Sequence, residues 1–166
     1  MNVIDAQEAL FFSGQEGTHT ATEMNAIGVQ EEAQAATEIS TVGAQEALFF
    51  EGREDALGLY LHLRDGLLSL VPCAKIEVKK TQISFAARRV FAVVSFLRPC
   101  KGFPYRKGCV TVSFGLPCKN DSPCVHAAVK IREGRWTHHC VISSQEEIGG
   151  ELISLLREAA AFSGAV

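Results

Sequence analysis

IEVKKTQISFAA, Ile76–Ala87, carries two alternating apolar patterns of opposite parity. Ile76 and Val78 alternate with Glu77 and Lys79, whereas Ile83, Phe85 and Ala87 alternate with Ser84 and Ala86. Successive side chains of a strand point to opposite faces, so a strand cannot exchange its buried parity without a bulge or a turn. The stretch therefore predicts two β segments joined through a kink at Lys80-Thr81-Gln82.

Outward from it, Val90–Leu97 (VFAVVSFL) is a nearly continuous apolar run suited to a central strand. Cys109–Leu116 and Trp136–Ser143 read as further strands, the second entered through a tight turn at Glu133-Gly134. Val125–Ile131 fits either a strand or a short helix started by Ser122-Pro123. Helices bracket this set. Glu54–Leu70 repeats apolar residues at Ala56, Leu59, Tyr60, Leu63, Leu67 and Leu70, and Pro72 stops it. A second helix runs from Gln145 to about Phe162, with Ser144 and Glu147 as its capping box. Strands that follow one another between two helices argue an α+β fold: an antiparallel sheet of about five strands flanked by an N-terminal and a C-terminal amphipathic helix.

Residues 1–43 are of another kind, rich in Ala, Thr, Glu, Gln and Gly and without a basic residue. They are expected to form a loosely structured extension to a single domain over 44–166. Within them A-Q-E-A-L-F-F-x-G-x-E occurs at Ala6–Glu16, and it recurs at Ala44–Glu54. Seven consecutive identities point to a partial duplication, and two copies are too few for a solenoid.

Hydrophobic content of 47% is enough for a real core. No apolar run approaches the ~18 residues of a membrane span, so no membrane association is expected. The N-terminus has no signal-peptide pattern, and the six cysteines stand singly without a C-x-x-C pair. They read as reduced thiols in a cytoplasmic protein. The net charge of −3 conceals a strong segregation. Residues 1–74 hold twelve acids against Arg53 and Arg64, while 75–135 hold thirteen of the sixteen Lys and Arg against Glu77, Asp121 and Glu133. A basic middle flanked by acidic ends implies either an acidic partner, nucleic acid included, or acidic helices packed across a basic sheet.

Three groups of residues are candidates for chemistry. Arg135, His138 and His139 lie on the Trp136–Ser143 strand, where parity puts His138 on the core face with Trp136, Cys140 and Ile142, and His139 on the other. Two histidines split in this way do not share a metal ion. Lys80, Thr81 and Gln82 at the kink are the second half of a possible small-molecule pocket with that strand. Arg88, Arg89, Lys101, Arg106 and Lys107, with Phe103 and Tyr105 in the loop, form a candidate nucleic-acid or anion surface. The C-x5-C-x-H of Cys118, Cys124 and His126 lacks zinc-site spacing, and no nucleophile elbow, P-loop or dinucleotide fingerprint occurs. Neither a metal, a cofactor nor a catalytic residue is expected. The leading reading is a non-enzymatic binding module for an acidic partner. The others are the pocket between the kink and the His138–His139 strand, and a structural domain that dimerises through a sheet edge. Oligomeric state is not legible.

The pattern F-x-G-R-x-x-A-L-x-L-Y-x-x-L-R at Phe50–Arg64, together with K-T-Q-I-S-F at Lys80–Phe85, D-S-P at Asp121–Pro123 and R-W-T-H-H at Arg135–His139, resembles the uncharacterised bacterial and archaeal domain-of-unknown-function family 5655 over about residues 46–162. The resemblance implies no activity. It marks Lys80, Thr81, Gln82, Phe85, Arg135, Trp136, His138 and His139 as motif positions.

Overall fold

The computed structural model describes residues 42–166, so the extension and the first copy of the repeat lie outside the described residues. Helix α1 (Ala44–Phe49) comes first, then α2 (Glu54–Leu70), which has the bounds the apolar periodicity predicts. Six strands follow: β1 (Lys75–Val78), β2 (Gln82–Ala86), β3 (Val90–Ser95), β4 (Val110–Leu116), β5 (Ala127–Arg132) and β6 (Arg135–Ile142). A closing helix α3 covers Gly150–Ser163. The sheet order is β1-β2-β3-β4-β6-β5, and every neighbouring pair is antiparallel. Val125–Ile131, left open by its sequence, contributes most of the edge strand β5. No described helix is long and apolar enough to cross a membrane.

The parity exchange in IEVKKTQISFAA resolves as a hairpin: β1 and β2 are separate strands, and the Lys79 amide donates to the Gln82 carbonyl at 2.8 Å across the turn. Each strand then keeps one buried face. Register aligns Phe85, Ala92, Phe114 and His138 in one row, and Ile83, Val94, Val112 and Cys140 in the next. All eight are buried, within one core that includes Leu59, Tyr60, Leu63 and Leu67 of α2 and Leu152, Leu155, Leu156 and Ala159 of α3. Both helices therefore cover the same face of the sheet. Each large side chain so buried contributes about 1.5–3 kcal/mol. The rows of opposite parity are mostly polar: Ser84, Val93, Ser113 and His139, then Gln82, Ser95, Thr111 and Val141.

Two expectations change. The C-terminal helix does not run unbroken from Gln145, because the Ser144–Glu147 capping box starts only a 3-10 turn over Gln145–Glu147. Gly149 and Gly150 then interrupt the backbone, Gly150 at φ +38°, and α3 restarts there. Phe103 and Tyr105, placed in the candidate nucleic-acid or anion surface of the basic loop, are half-buried. Phe103 meets His126 edge to face with ring centroids 5.3 Å apart, and the Tyr105 hydroxyl donates to the Cys109 carbonyl at 2.8 Å.

The strand ladders are irregular at two places. The β2–β3 register slips between Phe85 and Ala86, leaving Phe91 unpaired, and the β5–β6 register slips between Lys130 and Arg132, leaving Ile131 unpaired. Bulges bend a strand and re-aim its side chains. Both occur at the same end of the sheet.

Candidate anion-binding site

At that end the β2–β3 turn, the β5–β6 turn and the last turns of α3 enclose a cavity of about 350 Å³. Arg89, Phe91, Gly115, Arg132, Arg135 and Phe162 are the lining residues that give it character. Arg89 precedes β3, Arg132 ends β5, and Arg135 begins β6 after a two-residue turn in which Gly134 takes φ +68°. A side chain with a Cβ is strained in that conformation, so glycine is what brings Arg132 and Arg135 back to back. Strand β4 runs between β3 and β6, and at the level of the arginines it presents Gly115. The nearest atom to a Cβ placed on Gly115 is the Trp136 carbonyl oxygen at 3.8 Å.

Arg89, Arg132 and Arg135 are exposed, and none has a carboxylate within salt-bridge distance among the described residues. Glu133 shares the rim but pairs with Lys130 at 2.7 Å. The adjacent C-terminus of α3 carries partial negative charge, which makes a cluster of cations tolerable there. Arg88 runs past the left-handed cap Gly164, its Cδ 4.0 Å from where a Cβ would stand. Three exposed guanidinium groups around one hollow present the kind of donors that phosphate and carboxylate groups accept from.

The sequence-derived candidates scatter around this site. Arg89, from the basic surface, and Arg135, from the histidine strand, come together in it, and Arg88 flanks it. Lys101, Arg106 and Lys107 lie in the β3–β4 loop at the opposite end of the sheet, where Lys107 approaches Asp55 at 3.9 Å. Lys80 and Thr81 are exposed in the β1–β2 turn, and Gln82 donates to Ser84 Oγ at 3.3 Å. Strands β3 and β4 separate β2 from β6, roughly 14 Å at the usual interstrand spacing. The kink and the histidine strand therefore do not adjoin. Arg132, Gly115 and Phe162 are absent from the sequence-derived candidates; the readable signal is R-E-G-R at Arg132–Arg135, two arginines around a turn.

The histidines are split by the sheet as parity requires. His138 is fully buried and lies parallel to Phe114, with ring centroids 5.6 Å apart. Its Nε2 accepts the Asn120 amide at 3.0 Å, so the proton sits on Nδ1, which has no hydrogen-bond partner among the described residues. His139, on the other face, has Nδ1 2.7 Å from Ser113 Oγ. Burial holds the pKa of both below the usual histidine value, and for His138 the neighbouring His139 adds to the effect. The neutral forms are thus favoured in the folded state. Below the unfolded value of about 6.5 the unfolded chain takes up protons that the native state resists, so stability falls as pH drops through that window. Urea unfolding at about pH 7.5 and about pH 5 is expected to show this loss, and His138→Gln, which keeps an acceptor for Asn120, is expected to reduce it. An unchanged slope in the variant would assign the effect elsewhere.

A larger hollow of about 510 Å³ adjoins the start of α3, lined by Cys124, His126 and Cys140 with Glu146, Glu147 and Glu151. Its acidic rim repels anions. Burial, then the Cys124 thiol, pushes the Cys140 thiol far up, so Cys140 supplies no thiolate.

No curated protein and no solved structure matches the chain. The family model described as "Domain of unknown function (DUF5655)" matches residues 46–163, spanning α2, the whole sheet and all of α3, so the chain belongs to that family.

Proposed function

We propose that the domain is a non-enzymatic binding module for an acidic partner, with the phosphates of nucleic acid as the chemistry it fits. The observation that supports this is the convergence of Arg89, Arg132 and Arg135, without carboxylate partners among the described residues, on one cavity. The charge segregation along the chain agrees with it, since thirteen of sixteen cationic residues fall in 75–135. A labelled single-stranded oligonucleotide is the direct probe. Three phosphate contacts give a log–log salt slope of about −2, so raising salt from about 50 to about 200 mM weakens binding on the order of twentyfold. Arg132→Glu with Arg135→Glu is expected to lower affinity on the order of tenfold or more at the lower salt and to flatten the slope, with the fold retained by circular dichroism. Binding that ignores salt, or that survives the double reversal, would refute the proposal.

A further inference from the structure

Resting on that reading, the geometry points to a narrower ligand: a nucleoside monophosphate unit, its phosphate on Arg89, Arg132 and Arg135 and its base against Phe162. Phe162 is a large apolar side chain left 40% exposed, and it sits on the rim of the arginine cavity. No aromatic partner occupies its ring among the described residues. Bases stack on such rings whatever their identity, because every base has a π-face. The cavity, at about 350 Å³, lies within the range of small-molecule sites. Beneath it Gly115 stands in a strand interior, where glycine weakens the strand and marks close approach of a ligand or backbone. Cations and ring around one hollow suit an aromatic phosphate taken inside it better than a strand lying across the surface.

Calorimetric titration of the full chain with AMP and with inorganic phosphate tests this. AMP is expected to bind at least about tenfold more tightly than phosphate, and Phe162→Ala is expected to erase most of that advantage, since stacking of one base is worth roughly fivefold to a hundredfold. A 5′-phosphorylated oligonucleotide that competes with AMP, where its 5′-hydroxyl counterpart does not, identifies the ligand as a strand terminus. Equal failure of both to compete identifies free nucleotide. If AMP binds no better than phosphate, or if Phe162→Ala leaves its affinity unchanged, the nucleotide inference is wrong. The general anion-binding proposal is judged separately: it stands if the double arginine reversal still weakens oligonucleotide binding and falls if that reversal has no effect.

Discussion

Replacing Glu46 with alanine is expected to destabilise the domain by about 3 kcal/mol, the low end of what removal of one partner from a buried ion pair costs. Glu46 belongs to the six-residue helix α1, too short to be stable by propensity alone. Its carboxylate is nevertheless buried. Oε2 accepts the Gly43 amide at 2.8 Å and Arg64 Nη1 at 3.2 Å, and Oε1 accepts the Tyr60 hydroxyl. Arg64 is 4% exposed, so alanine takes a carboxylate away from a guanidinium held out of water, with Asp65 3.5 Å from it. Tyr60 loses its acceptor too; burial, then Glu46, pushes its pKa far up and keeps the phenol protonated as a donor. Glu46→Gln, which keeps the shape and an acceptor oxygen, is expected to cost less than Glu46→Ala in urea unfolding. A loss below about 1 kcal/mol for alanine would place the pair among exposed bridges of little worth.

That network shows where sequence reading stops. Helix α2 is legible because its periodicity is local, and Arg64 falls on its buried side, at i+4 from Tyr60. A cation on an apolar stripe calls for a buried anion, but nothing in the spacing says that the anion is Glu46, across a turn. The β1–β2 hairpin is legible for the same local reason: parity is a property of adjacent residues. The arginine site is not. Arg89 and Arg135 are distant in sequence and fall in separate sequence-derived candidates, and their meeting depends on two bulges and on a glycine in the strand between them. Bulges depend on which strands pair, and alternation within one strand does not record that. The histidine strand is read more fully, since parity alone places His138 inside and His139 outside. Composition also describes β5 poorly. Its edge position leaves Val129 48% and Ile131 58% exposed, so it lacks the buried alternation that identifies a strand.

Phe114→Ala is the second substitution expected to have a large effect, about 3 kcal/mol, at the low end for removing a buried phenylalanine ring. Phe114 is 3% exposed in the central strand β4, registered opposite His138 of β6 and parallel to its imidazole. Alanine opens a cavity on that side of the imidazole. An apolar cavity stays empty and carries its full cost, but this one opens onto the face of a polar ring, His138, whose Nδ1 has no hydrogen-bond partner among the described residues. A water that enters hydrates the imidazole and offsets part of the loss. Phe114→Leu refills most of the volume and is expected to cost about 1–1.5 kcal/mol, with no room for water. The two variants should also differ in pH response. Water beside the imidazole lowers the desolvation that holds His138 neutral, so the loss of stability below about pH 6.5 should shrink in Phe114→Ala and persist in Phe114→Leu. Equal costs for the two, or an unchanged pH response in the alanine variant, would mean that the cavity stays dry and that His138 owes its neutrality to Asn120, whose amide holds Nε2 as an acceptor, rather than to the ring beside it.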